Sequence, residues 1–167
     1  MEDAAGPTLP GDEARPRTVT GLVSKYKRII NILLACIAIG LEVYYSICGG
    51  SCSYLSGSIF GIDLQYVGVA CMVSIILLSI LKQDLLVFLI LSAGAGIEFY
   101  LIGFQVWYDT YCPYCLAFGG IVFALYMVNF IRRHLFYSLF FMGMGLAGFA
   151  LVFKGSVAPT YTYTFLR

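Results

Sequence analysis

Charged residues are scarce in this sequence, and their scarcity excludes an ordinary soluble domain. Only 11% of the 167 residues are charged and 60% are hydrophobic, whereas about a quarter of the residues in a soluble domain are charged. The apolar residues fall in five blocks of membrane-spanning length, at roughly 29–47, 64–81, 85–106, 113–131 and 136–153. Because lipid offers the backbone no hydrogen-bond partners, these blocks are predicted to be helices. The predicted fold is an all-α membrane protein, a five-transmembrane helix bundle.

The beginning of the chain lacks the pattern of a cleavable signal peptide. Residues 1–24 are polar and rich in Pro, Gly and acids, without a basic region followed by a short apolar run. We expect a disordered cytoplasmic tail over 1–24, one transmembrane domain over 25–154 and a short extracytoplasmic tail over 155–167. The segment 48–63, CGGSCSYLSGSIFGID, is too short to span and is predicted to form a capping loop or short interfacial helix.

Basic residues are nearly absent from one side of the predicted bundle. Eight of the ten lie before the first span, between the second and third, or between the fourth and fifth. Only Lys154 and Arg167 fall on the other side. The positive-inside rule therefore predicts an integral membrane protein with a cytoplasmic N-terminus and an extracytoplasmic C-terminus.

No strand precedes the one glycine motif that resembles a dinucleotide-binding sequence. Gly143, Gly145 and Gly148 spell G-x-G-x-x-G inside an apolar block, which is the wrong context for a cofactor-binding turn. The motif is therefore rejected. Small residues there and in 92-SAGAG-96 are expected to allow two helices to approach closely.

Cysteines are present where disulfides can form. The pairs Cys48/Cys52 and Cys112/Cys115 both fall on the predicted extracytoplasmic side, where disulfides persist. Pro113 suits the first position of a helix, so Cys112 is the predicted N-cap and Cys115 lies in the first turn. A helix N-terminus stabilises a thiolate and lowers its pKa. The C-x-x-C therefore predicts a redox pair, with a structural disulfide or two buried thiols as the alternatives.

The loop pair is a candidate exchange partner for the C-x-x-C. Cys48 and Cys52 are separated by Gly-Gly-Ser, a spacer with little conformational preference. A mobile pair above a fixed pair can relay a disulfide by thiol–disulfide exchange. The four thiols could instead hold zinc. In that alternative the chain is a non-catalytic membrane assembly or structural protein, with structural disulfides or a metal site made of four cysteines.

The order of these features resembles the vitamin K epoxide reductase family. The matching residues, within roughly 25–135, are Cys48, Cys52, Ser56, Phe60-Gly61 and Cys112-Pro-Tyr-Cys115. The likeness implies a quinone-dependent thiol–disulfide oxidoreductase. Prokaryotic members of the family are the most similar: they lie in the plasma membrane and generate disulfides for secreted proteins.

The resemblance also implies a path for the electrons. A thioredoxin-like extracytoplasmic oxidoreductase would reduce Cys48, and Cys52 would pass the electrons to Cys112. Cys115 would form the active-site disulfide with Cys112 and would engage a quinone of the ubiquinone or menaquinone type as a thiolate. Residues implied at the quinone are Cys115, Ser56, Phe60 and Phe118, the last standing where the vertebrate enzymes have a tyrosine.

Two acids lie inside predicted spans, where a carboxylate is costly and a functional role is the first hypothesis. They are Glu42 and Glu98. Reduction of a quinone takes up two protons, so Glu98 and also Asp109, just before the C-x-x-C, are candidates for a proton relay. The alternatives are a protonated, hydrogen-bonded glutamate between helices and a simple turn residue at Asp109. Cys36 and Cys71 are expected to be small buried side chains.

Overall fold

Five helices make up most of the chain. The structure, a computed structural model, describes residues 17–48, 55–109 and 111–157, and the side chains of 25–47, 57–109 and 111–154. The helices coincide with the five apolar blocks, and three short strands accompany them. In chain order the elements are α1 (Arg17–Cys48), β1 (Leu55–Ile59), β2 (Ile62–Asp63), α2 (Leu64–Ile80), α3 (Asp84–Trp107), α4 (Pro113–Asn129), α5 (Leu135–Val152) and β3 (Phe153–Val157).

Within the described residues, three helical segments are long and apolar enough to cross a membrane. They are Lys25–Ile47, Asp84–Trp107 and Arg132–Val152, the last comprising a 3-10 turn and α5. The helices α2 and α4 are equally apolar but have only 17 residues each. The all-α class agrees with the sequence prediction, and helix length by itself identifies three spans.

The first four helices form a ring. α1 packs against α2 and α4, and α3 packs against the same two helices, so α1 and α3 face each other across the ring. Buried apolar side chains from all four fill its centre, among them Ala35, Met72, Leu91 and Leu125. The fifth helix lies outside the ring against α3.

Glycines set the close contact between α3 and α5. A Cβ at Gly96 would run into the carbonyl oxygen of Met142, and a Cβ at Gly145 would run into that of Ala93. The predicted close approach through small residues is therefore confirmed at these two positions. The reason is steric: only a residue without a side chain lets the two backbones come this near.

The predicted cap is a small sheet instead of a helix. β1 and β2 form a hairpin whose turn residues, Phe60 and Gly61, both have positive φ (52° and 82°), as a two-residue primed turn requires. β3 pairs antiparallel with β1, from Leu55 opposite Val157 to Ile59 opposite Phe153. The segment becomes extended because its partner strand arrives from beyond α5. The sheet lies on the side of the bundle where the helices end or begin at Cys48, Leu64, Trp107, Pro113 and Val152. We call this side the sheet end. The opposite side, with Lys82, Arg132 and Arg133, is called the arginine end.

Helix α1 begins earlier than expected. It starts at Arg17, so the disordered tail predicted over 1–24 is too long by its last eight residues, which are helical. Similarly, the tail predicted from residue 155 still belongs to β3 as far as Val157. Residues 1–16, 49–54, 110 and 158–167 lie outside the described residues.

Candidate functional site

The start of α4 holds the two cysteines of the C-x-x-C in a fixed geometry. Cys112 is the N-cap, with extended backbone angles (φ −98°, ψ 109°), and Pro113 follows at the first helical position. The Sγ of Cys112 accepts a hydrogen bond from the backbone N–H of Cys115 at 3.4 Å. The predicted N-cap is therefore confirmed. Both cysteines are free thiols in this structure.

Hydrogen bonds to its sulfur make Cys112 the more acidic of the two positions. The thiol of Cys115 donates the strongest of them, and the backbone N–H groups of Cys115 and Tyr114 add to it. Together they outweigh the opposing effect of burial and lower the pKa of Cys112 from 9.0 to about 6. In this state Cys112 holds the thiolate and Cys115 is the hydrogen-bond donor.

A buried glutamine fixes the backbone of the N-cap residue. The backbone N–H of Cys112 donates to the Oε1 of Gln105 at 2.9 Å, and Gln105 on α3 is only 1% exposed. An N–H at a helix N-terminus has no partner within its own helix, so the glutamine supplies one. The signal for this residue was its polar side chain within an apolar block, seven positions before Cys112.

A cavity of about 380 Å³ lies within the ring at the sheet end. All four ring helices line it, together with Gly57 of β1 and Phe149 of α5. Its walls are mainly apolar, with Leu64, Val67, Met72, Ile75, Ile90, Leu91, Ile97, Leu101 and Val122 among them. Cys115 lies in the wall, whereas Cys112 is fully buried. A volume and lining of this kind suit a small apolar ligand.

Two carboxyl groups face this cavity from opposite sides of the ring. Glu42 on α1 and Glu98 on α3 both line it. A Cβ at Gly119 would lie 2.8 Å from Oε2 of Glu98, and a Cβ at Gly68 would lie 3.5 Å from Oε1 of Glu42. Among the described residues, neither carboxyl group makes a hydrogen bond. The sequence singled out each acid, but not their shared cavity.

Of the residues predicted at a quinone or a proton relay, some reach the cavity and others do not. Cys115 and Phe118 line it. Phe60 is 85% exposed at the hairpin turn and is not among the residues that line the cavity. Asp109 is exposed in the turn between α3 and α4, with a φ of 48°, which agrees with the turn-residue alternative.

The loop cysteines lie at the limit of the described chain. Cys48 is the last residue of α1, but its side chain is outside the described residues, and so is the whole of Cys52. Ser56 pairs with Ser156 through β1 and β3, and its side chain is likewise not described. Disulfide exchange between the loop pair and the C-x-x-C therefore stays a prediction.

Two further side chains line the cavity: Cys71, which the sequence predicted only as a small buried residue, and Gln65, which sequence reasoning missed. Cys71 on α2 is half-buried and lines the cavity, whereas Cys36 is exposed on α1 instead of buried. Gln65 on α2 donates from Nε2 to the backbone oxygen of Glu42 at 2.7 Å. This bond joins α1 to α2 beside the cavity.

Comparisons with family models, with curated proteins and with solved structures give no match for the chain.

Proposed function

We propose that the protein is a membrane thiol oxidoreductase that passes two electrons from cysteine thiols to a quinone. The observation that carries the proposal is the position of Cys115. Its side chain lines an apolar cavity enclosed by four helices, and it hydrogen-bonds to Cys112, whose backbone is held by Gln105. A flat, apolar electron acceptor suits such a cavity, and a thiol pair in its wall can reduce it.

In the proposed function all five helices cross the membrane. With 17 residues, α2 and α4 reach the lower limit of the length that crosses a hydrocarbon core. Large apolar side chains point outward along the bundle, for example Leu77, Phe136 and Leu151, as lipid contact requires. The positive-inside rule puts the arginine end in the cytoplasm and the sheet end outside, in the plasma membrane of a prokaryote.

The chemistry is a two-electron exchange. Cys115 gives up its proton and adds through its sulfur to the quinone ring. The Cys112 thiolate then attacks this sulfur, and the bond between the sulfur and the ring breaks. A disulfide forms between them, and both electrons and two protons end on the quinol. Cys52 and Cys48 would return electrons to this disulfide. They would receive them from a thioredoxin-like extracytoplasmic oxidoreductase, whose own disulfide is thereby regenerated for secreted proteins.

Reconstitution in lipid nanodiscs tests the proposal. With a small dithiol as donor and a short-chain ubiquinone or menaquinone analogue as acceptor, the wild-type protein should form quinol. Cys112→Ala and Cys115→Ala should each lower the rate at least about a thousandfold, because no disulfide can form within the pair. Cys36→Ala is the matched control, since this thiol is exposed on the outside of α1 and should not matter.

Full activity of either variant would contradict the proposal. Zinc bound stoichiometrically to the purified wild-type protein and lost from both variants would favour the alternative, a non-catalytic membrane protein whose four cysteines hold a metal ion.

A further inference from the structure

We infer that Glu42 and Glu98 act as a pair of acids that deliver protons to the two carbonyl oxygens of the quinone. The inference rests on the proposed function and adds two catalytic residues to it. It begins from their placement: α1 and α3 face each other across the ring, and each contributes one carboxyl group to the same cavity. The two oxygens of a quinone likewise project from opposite edges of its ring. A quinone between the helices would present one oxygen to each acid.

Each carboxyl group lies against a glycine of a neighbouring ring helix. Glu98 lies beside Gly119 of α4, and Glu42 lies beside Gly68 of α2. Both glycines are inside helices, where glycine is less favourable than alanine. At Gly119 a methyl group would displace the carboxyl oxygen, because it would stand only 2.8 Å away. The absence of a side chain at Gly119 therefore leaves room for the carboxyl group of Glu98, whereas a methyl group at Gly68 would meet that of Glu42 at an ordinary contact distance of 3.5 Å.

Among the described residues in the walls of the cavity there is no cation to neutralise the two acids. Of the described residues that line the cavity, none is a lysine or an arginine. The other titratable groups in its walls are Asp63 and Cys71 on the α2 side, Tyr45 on α1, and Tyr114 and Cys115 on α4. A carboxyl group that is buried away from cations is most stable in its protonated form, which is the form that can donate.

The transfer balances when the two acids work together with the thiols. Cys112 is already a thiolate, so the pair loses one proton, from Cys115, and two electrons as the S–S bond forms. The electrons enter the quinone ring, and the acids Glu42 and Glu98 protonate its two oxygens, giving quinol. The proton from Cys115 and one proton from water restore the acids. The net reaction is therefore thiolate, thiol, quinone and one proton giving disulfide and quinol.

The test follows a single turnover in nanodiscs by stopped-flow. The reduced protein is mixed with a short-chain ubiquinone analogue, and quinol formation is recorded. Glu98→Gln and Glu42→Gln should each slow it about a hundredfold, because positioned acids and bases contribute on the order of 10² to 10⁴. Asp84→Asn is the matched control: it makes the same chemical change at an exposed position on α3, at the arginine end, and should react at the wild-type rate.

A second acceptor separates proton delivery from a structural role. Dithiodipyridine oxidises the C-x-x-C without a quinone, so both glutamine variants should react with it as fast as the wild-type protein does. Equal losses with both acceptors, or wild-type rates with both, would overturn the inference. If the wild-type protein forms quinol and both glutamine variants form it at the same rate, the inference is wrong while the proposed function stands. A wild-type protein that reduces no quinone overturns the proposed function as well.

Neighbouring glycines on α4 give a variant that moves the acid without replacing it. Gly119→Ala places a methyl group against Oε2 of Glu98, whereas Gly120→Ala meets nothing within 4 Å. Quinol formation should slow about tenfold in the first and stay unchanged in the second. In infrared difference spectra of quinone reduction, C=O bands of protonated carboxyl groups should shift in the wild-type protein, and Glu98→Gln and Glu42→Gln should each remove one component of that signal. No such band in the wild-type protein would contradict the assignment.

Discussion

Buried polar side chains occur at both ends of the ring, and the two groups are arranged differently. Towards the arginine end, Asn31 of α1 and Asn129 of α4 donate to each other at 3.0 and 2.7 Å, and they are 2% and 0% exposed. At the sheet end, Glu42 and Glu98 face a cavity and make no hydrogen bond to a described residue.

A second polar cluster follows the pattern of the arginine end. The hydroxyl groups of Ser92 and Ser138 lie 3.0 Å apart, and the hydroxyl of Tyr126 lies 2.7 Å from that of Ser138. These groups join α3, α4 and α5. Buried polar residues with hydrogen-bond partners therefore hold helices together, whereas those that line the cavity are available to a ligand.

The first test of this contrast concerns the thiol pair at the sheet end. Cys115→Ala removes the strongest hydrogen bond to the sulfur of Cys112, so the pKa of Cys112 should rise from about 6 towards 9.0. The thiolate fraction at neutral pH should then fall on the order of tenfold or more. Thiolate absorbance in the ultraviolet measures it, in a background where alanine replaces the other cysteines, Cys36, Cys48, Cys52 and Cys71.

The lowered pKa of Cys112 also determines how the free energy of unfolding changes with pH. Between about pH 6 and 9 the folded protein binds fewer protons at Cys112 than the unfolded chain. The stabilisation from this thiolate is therefore complete above pH 9 and is lost as the pH falls through about 6. If the thiolate titration of Cys112 has the same midpoint in Cys115→Ala as in the protein with Cys115, the backbone N–H groups alone determine the lowered pKa of Cys112.

The second test addresses the paired asparagines. Asn129→Leu leaves the amide of Asn31 buried without its partner and should lower the free energy of unfolding by about 1–3 kcal/mol, as measured by thermal unfolding in nanodiscs. Quinol formation per folded molecule should not change. The double variant Asn31→Leu/Asn129→Leu should recover part of the loss, because no unpaired amide remains. If fully folded Asn129→Leu formed quinol much more slowly than the wild-type protein, the asparagine pair would not be purely structural, and the contrast with the sheet end would be wrong.

The smallest effect is expected at Ser79 of α2. Its hydroxyl is buried and has no hydrogen-bond partner among the described residues. Ser79→Ala should therefore change the unfolding free energy by no more than about 0.5 kcal/mol, or stabilise slightly. Ser138→Ala is the comparison, since it removes a hydroxyl that bonds to Ser92 and Tyr126 and should cost about 1–3 kcal/mol. Equal effects would show that the bonds of Ser138 add nothing.

The sequence predicted those parts of the structure that depend on local pattern. Apolar blocks determined where the helices lie, because a helix satisfies its own backbone within the segment. Pro113 after a cysteine predicted the N-cap at Cys112 for the same local reason. Close helix–helix approach at the small residues that include Gly96 and Gly145 was also predicted, but the sequence did not say that α3 and α5 would be the two partners.

Features that need distant residues were not predicted. The strands of the cap form because β1 meets β3, and the run YLSGSIFGI carries no sign of that partner. The cavity depends on which faces of four helices turn inward, and apolar blocks without a polar side leave the facing undetermined. This is why Gln105 was missed, and why neither the place of Cys71 in the cavity wall nor the outward position of Phe60 was foreseen.

The pairing of β1 with β3 has a consequence for biogenesis. β1 emerges from the ribosome before four of the five helices, yet its partner β3 follows all of them. Segments so far apart in the chain pair late. The ring can assemble while the β3 edge of β1 is still unpaired, so Gly57 in the cavity wall meets Phe153 only when synthesis has passed α5. A nascent chain that stalls within α5 would carry the thiols and the acids without the completed sheet.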